Sequence, residues 1–204
     1  QRKFPPARTT GRMYDLLNAK YQLHIDTVRT QTQPKLQLRF DTDSTYLPRL
    51  FFVQQYRVFK SPEEETRFMV DSTFNALTTV LLEEEPDPAP RDTAGTTRWT
   101  TIIQSYSNNT ITANVTTTMP GFLVYSEIYY PGWNAYVDGR LTKLYCADWC
   151  FRAIVIDAGQ HTVELRFEPA SFRNGATISL TVFVLCVAGG VYSFWRSRRP
   201  ASGQ

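Results

Sequence analysis

The spacing of apolar residues changes several times along this chain, and each change marks an element. Within residues 10–25, Met13, Leu16 and Leu17 recur at helical spacing after Thr10-Gly11, and Tyr21, Leu23 and Ile25 then alternate, a short helix feeding a strand. Leu36, Leu38 and Phe40 share one face of a second alternating run, and Leu50 to Phe59 forms a third. Ser61-Pro62-Glu63-Glu64 is a helix start, with serine at the cap, proline at the first helical position and a glutamate able to close a capping box. That helix is expected to reach about Val70, and Leu77 to Leu82 to return as a strand. Residues 1–83 thus read as a small α+β subdomain.

Residues 84–98 are rich in proline and acid and too poor in apolar residues for a core, so they read as a solvated connector. From Trp99 the chain is strand after strand. Ile111, Ala113 and Val115 alternate with threonine and asparagine, and Val163, Leu165 and Phe167 alternate with charged residues. Each predicts a strand with one wet face. Phe122 to Tyr130 is apolar on both faces and is expected to be central. Turns fall at Ser107-Asn108-Asn109, Pro131-Gly132, Asp138-Gly139 and Asp157-Ala158-Gly159; Asp-Gly is the most specific, because a type I′ hairpin needs positive φ at both central positions. Residues 99–173 read as an antiparallel β-sandwich.

The rhythm then stops. Gly175 to Trp195 holds no charge and no proline, and at about 1.5 Å per residue it spans roughly 30 Å, the thickness of a bilayer's hydrocarbon core. Residues 174–195 are therefore expected to form a transmembrane helix, with the lipid bilayer as partner. Thr177, Ser179, Thr181 and Gly189-Gly190 suit packing against an upstream transmembrane bundle of the same polypeptide. The fold class expected is α+β followed by an antiparallel β-sandwich, with one C-terminal transmembrane helix.

Charge orients this picture. Of 22 basic residues three lie in the tail, 196–204, which leaves 19 against 19 acidic ones before it. The positive-inside tendency puts the tail in the cytoplasm and residues 1–173 on the extracytoplasmic side of the membrane. A neutral body gives no electrostatic case for nucleic acid. An exported domain needs an upstream signal, and the chain opens at Gln1 with neither methionine nor signal peptide, so it is expected to be the C-terminal piece of something longer.

No glycine-rich phosphate loop, His-Glu-x-x-His motif or nucleophile elbow is present, and no cofactor is implied. Three cysteines occur. Cys186 lies in the apolar run, while Cys146 and Cys150 flank Ala-Asp-Trp. Residues four apart in a strand lie about 13 Å from each other, so a Cys146–Cys150 disulfide requires a turn; two thiols are the alternative. With only His24 and His161 and no second ligand pair, zinc is not expected. Arg152 has Asp148 or Glu127 as ion-pair partner. Tyr129, Tyr130, Trp133, Tyr136 and Trp149 gather around the central hairpins, where Tyr130, Trp133, Tyr136 and Trp149 are candidates to contact a glycan or acceptor; the plainer role is sandwich packing. Glu127 with Asp138 is the one pair to weigh as glycosidase carboxylates.

The run Ser126-Glu127-Ile128-Tyr129-Tyr130-Pro131-Gly132-Trp133-Asn134-Ala135-Tyr136-Val137-Asp138-Gly139 resembles the C-terminal region of YfhO-type bacterial membrane proteins. So do Phe151-Arg152-Ala153, Ala158 to Glu164, Glu168-Pro169 with Ser171-Phe172, and upstream Leu16 to Tyr21 and Leu47-Pro48-Arg49. The departure is Cys146 to Cys150, where the resemblance would place Asn-Tyr-Ala or similar. The resemblance implies a multi-pass protein similar to GT-C glycosyltransferases, which act on cell-envelope polymers with a lipid-linked sugar donor. Its catalytic acid would sit in an early loop, so no catalytic residue carries over. The expected function is a non-catalytic extracytoplasmic region contacting a lipid-linked sugar or envelope polymer. The alternative is a single-span anchored sandwich that binds carbohydrate or protein at the cell surface.

Overall fold

The computed structural model describes residues 20–29, 34–42, 46–71, 73–91 and 95–197. The helix expected within residues 10–25 and the tail beyond residue 197 lie outside them. In chain order the strands are β1 (Tyr21–Arg29), β2 (Pro34–Thr42), β3 (Leu50–Val53) and β4 (Gln55–Val58), followed by helix α1 (Pro62–Met69). Then come β5 (Thr79–Leu82), β6 (Trp99–Tyr106), β7 (Thr110–Thr117), β8 (Gly121–Tyr125), β9 (Trp133–Val137) and β10 (Arg140–Thr142). β11 (Leu144–Ala147), β12 (Phe151–Ile156), β13 (Gly159–Phe167) and helix α2 (Ala170–Ser197) complete the chain.

β1 and β2 form a hairpin of their own, with Leu23 opposite Phe40 and Ile25 opposite Leu38. The other strands make two sheets, ordered β10-β9-β13-β7-β6 and β3-β8-β12-β11-β5-β4. The sandwich is therefore not confined to residues 99–173. Strands on both sides of the connector are hydrogen-bonded into the second sheet, because the apolar β3 and β5 need neighbours that the first segment alone does not supply.

The expected strand Leu50–Phe59 breaks at Gln54, and its halves take opposite edges of the six-stranded sheet. A sheet whose first and last strands are joined by one residue must curl until its edges meet. Its concave face closes over Phe51, Val53, Phe122 and Val124, with Met69 of α1 packed among them. The other face, with Leu50, Phe52, Leu123 and Ile154, meets Ile111, Ala135, Val163 and Leu165 of the five-stranded sheet. Both faces being buried explains the unbroken apolar run of β8, every residue of which is buried. That run ends at Tyr125; residues 126–130, expected to continue it, are loop.

α1 crosses between the parallel strands β4 and β5. Ser61 caps it, accepting from the Glu64 N–H at 3.5 Å. Its hydroxyl donates to Glu63, the second helical residue, at 2.8 Å. Asp138 and Gly139 have φ of 51° and 77°, the type I′ hairpin that Asp-Gly predicts. α2 begins five residues before Gly175, directly after Pro169. Its segment Ala170–Trp195 has a window of mean hydropathy 1.9 and no part of that window is buried, so it is long and apolar enough to cross a membrane. Thr177 and Thr181 donate their hydroxyls to the carbonyls four residues back, at 2.9 and 2.8 Å, so neither is a stray donor on the apolar surface.

Gly121 opens β8 where the sheet curls. A Cβ there would stand 2.5 Å from the Phe52 ring and 2.6 Å from the Val53 carbonyl oxygen, and that backbone atom has nowhere to go. Gly121→Ala is expected to destabilise the fold by about 1–3 kcal/mol, read as a lowered denaturation midpoint of the full chain in nanodiscs.

Candidate functional site

Strand registers sort the loops into two ends. Phe167, the last residue of β13, lies opposite Trp133, and Arg166 lies opposite Thr110. Tyr125 pairs with both Leu50 and Arg152. Hence Arg49, the 107–109 turn, loop 126–132 and Arg152 share the end from which α2 leaves. The turns at 138–139 and 157–159 occupy the far end. Two hydrogen bonds fasten the near end: Glu168 N–H donates to the Gly132 carbonyl at 2.6 Å, and Phe167 N–H to that of Asn109 at 2.8 Å. Gly132 has φ +107°, and a Cβ on it would lie 3.0 Å from Pro169, so glycine lets the loop lie against the root of the helix.

Beneath this loop sits a charged node. Glu127 Oε2 accepts from Arg152 Nη2 at 3.0 Å, Oε1 accepts from Arg49 Nη1 at 3.1 Å, and Tyr106 donates its hydroxyl to the same Oε1. The Arg152 side chain is 3% exposed, and its guanidinium lies 4.1 Å from the Trp133 ring centre and 4.9 Å from that of Tyr125. Burial pulls the Arg152 pKa down, while Glu127 opposes the fall. Burial first, then Glu127, raises Tyr125, which stays a phenol. Of the two partners open to Arg152 in the sequence, the structure selects Glu127. The node's chemistry is that of a clamp, since both oxygens of the carboxylate are engaged by donors.

The four aromatic candidates do not share one surface. Trp133 is half-buried against Phe167, with ring centres 5.5 Å apart, and does the packing expected of it. Tyr130 is 61% exposed beside the same Phe167. Tyr136 lies on the outer face of the five-stranded sheet, donating to Glu168 at 2.9 Å with Arg166 over its ring. Trp149 is buried in the concave core. Glu127 and Asp138 stand at opposite ends of β9, which alone spans about 13 Å; this exceeds the separation of either glycosidase geometry.

Asp148 and Trp149 turn β11 into β12 with φ of 45° and 75°. The turn is pinned from inside. Asp148 Oδ1 accepts from the Leu81 N–H at 2.9 Å, and Glu65 of α1 accepts from the Trp149 N–H at 2.8 Å. Burial, with Glu65 adding its charge and the Leu81 N–H opposing, pushes the Asp148 carboxyl up to about 7. Cys146 and Cys150 bracket this turn as thiols, and Cys146 Sγ lies 3.5 Å from the Trp149 carbonyl oxygen. Glu65 was beyond the reach of sequence reasoning, because a glutamate in the first turns of a helix reads as a solvated charge.

At the far end a cleft of about 820 Å³ is lined by Arg91, Asp138, Arg140, Lys143, Asp157 and His161, among others. His161 Nδ1 is 2.7 Å from Asp138 Oδ2, and the Thr162 N–H donates to Oδ1 at 2.9 Å. These contacts, His161 first, hold Asp138 below the usual carboxylate range. His161 Nε2 is buried with no hydrogen-bond partner. In the sequence Asp138 was marked by the Asp-Gly turn it opens and His161 only by lying just after the turn at Asp157-Ala158-Gly159, with nothing to join the two. Among the described residues no group of three or more His, Cys, Asp or Glu is placed to hold a metal ion.

Fold and site together define a β-sandwich fastened directly to an apolar helix of membrane-crossing length. Residues 91–179 match the family model described as bacterial membrane protein YfhO, from the middle of the connector through β6 to β13 and into α2. Over this stretch the chain is similar to that family of bacterial membrane proteins. No curated protein and no solved structure matches the chain.

Glu127→Ala leaves Arg152 buried without its counter-ion and is expected to cost about 3 kcal/mol; pairing Glu127→Gln with Arg152→Met should recover most of it in chemical denaturation. For Asp148 the folded pKa lies above the unfolded one. Its contribution is therefore full below about pH 4 and lost as pH rises towards 7. Asp148→Asn keeps the acceptor for Leu81. It is expected to flatten that decline and to stabilise the protein at pH 8 by as much as about 4 kcal/mol, measured as denaturation midpoints across pH.

Proposed function

We propose that this chain is the extracytoplasmic C-terminal region, with its final transmembrane helix, of a multi-pass protein related to GT-C glycosyltransferases, and that its sandwich holds an acceptor rather than performing chemistry. The observation that carries this reading is the junction. β13 passes into α2 through Glu168-Pro169 alone, within the stretch that matches the YfhO family model. A body joined to a membrane helix by two residues stays at the bilayer surface, where a lipid-linked donor and an envelope polymer would meet. Arginines at 196, 198 and 199 favour a cytoplasmic tail and an outward-facing sandwich.

The far cleft is the best place for an acceptor. Asp157 supplies an acceptor, Arg91 and Arg140 supply donors, and Leu141 and Val155 give apolar wall, a mixture suited to a hydroxyl-rich polymer.

Two measurements test this. A thiol at Gln160→Cys, in the full chain with its native cysteines replaced, is expected to react with a membrane-impermeant maleimide in intact cells, while one at Ser202→Cys reacts only after permeabilisation; the reverse pattern defeats the topology. Envelope polymer titrated onto the chain in nanodiscs is expected to bind saturably, and Arg140→Ala with Asp157→Ala to weaken it several-fold. Binding that ignores both substitutions removes the cleft from the reading.

A further inference from the structure

Loop 126–132 presents Ile128 and Tyr130 to solvent, 68% and 61% exposed, with Tyr129 between them also exposed. This loop cannot fold inward to cover them. Glu127 anchors its start to Arg49 and Arg152, the Tyr129 N–H donates to the Cys150 carbonyl at 2.6 Å, and Gly132 is fastened to Glu168 and packed on Pro169. The loop is a stiff ledge whose exposed residues are an isoleucine, two tyrosines and a proline.

Its height above the apolar helix follows from spacing. Pro169 precedes Gly175 by six residues, about 9 Å along a helix. Half the difference between a bilayer's full and hydrocarbon thickness is roughly 5–8 Å. With the hydrocarbon beginning near Gly175, the root of α2 stands at the outer margin of the headgroup layer, and the ledge is bonded to that root. Tyrosine is favoured at the level of the headgroups, where its amphipathic ring meets both apolar and polar groups.

We infer that loop 126–132 is a second membrane contact, in which Ile128, Tyr129 and Tyr130 rest in the headgroup layer of the bilayer that α2 crosses. This rests on α2 spanning the membrane. The occupant is lipid, because the ledge is continuous with the helix root. Glu127 carries no free charge to repel headgroups, since two guanidiniums hold it. Anchored at two points, the sandwich loses freedom to swing about Pro169.

The full chain in phosphatidylethanolamine/phosphatidylglycerol vesicles tests this, with an environment-sensitive fluorophore on single cysteines at Ile128, Gln160 or Val184 and the native cysteines replaced by alanine. The Ile128 label is expected to be quenched by a spin label near the headgroup several-fold more than the Gln160 label and to be shielded from aqueous iodide; the Val184 label is expected to be quenched by a spin label deep in the acyl chains. A Val184 label quenched by iodide removes the spanning reading itself. A Val184 label in lipid with an Ile128 label open to iodide, or shielded from both quenchers, overturns the ledge alone, the second outcome pointing to protein cover. In the otherwise unmodified chain, Tyr130→p-benzoylphenylalanine is expected to give photoadducts with the mass of lipid, and adducts with protein only overturn the proposal.

Discussion

The structure depends on one constraint: β3, β8 and β12 of the six-stranded sheet are buried on both faces. Apolar residues at successive positions of β8 cannot face water on either side, so the chain must supply two separate covers. One is the five-stranded sheet, whose inner residues alternate with a wet outer face. The other is the sheet itself, curled so that β3 and β4 meet at Gln54 and close over Phe51 and Phe122, with α1 alongside. Gly121 and the pinned turn at Asp148 follow from this, since a curled sheet brings backbones close where a flat one would not.

Polar groups drawn into that geometry are what make it specific. Arg152 is pulled into the inter-sheet region because β12 is central, and its neighbours Trp133, Tyr125 and Glu127 come from the strands and loop that border it. A buried ion pair of this kind adds little net stability over an apolar pair of the same shape, but removing one partner is costly. Its effect is to hold loop 126–132 in register with the end of β13. Glu65 acts similarly on the 148–149 turn, one carboxylate from a helix securing a backbone that two positive φ angles would otherwise strain.

Elements with a strong period were legible in the sequence. β7, β13, the Asp138-Gly139 hairpin and the apolar helix follow from alternation, turn chemistry and length, and Ser61-Pro62 marked α1. What stayed hidden depended on pairing between distant segments. Nothing local in Leu50 to Phe59 shows that its halves lie on opposite edges of a sheet, and nothing near Leu81 shows that its backbone bonds to both the backbone and the carboxylate of Asp148. The aromatic residues around Trp133 were visible as a group, but their division into ledge, core and outer face is set by the register of β9 against β13. Arg49 and Tyr106 reach Glu127 only through tertiary packing, and the Asp138–His161 contact needs β9 and β13 side by side.

The brevity of the junction has a mechanical result. β13 is nine residues long, so its far turn stands about 30 Å from the root of α2, and Gly132 braces that root against the sandwich. A change of about 10° in the tilt of α2, within the range that membrane helices sample, carries the far turn sideways by roughly 5 Å. Held to that root, the sandwich turns with α2 as one body rather than swinging on it, so a lean of the helix becomes a sideways displacement of the cleft.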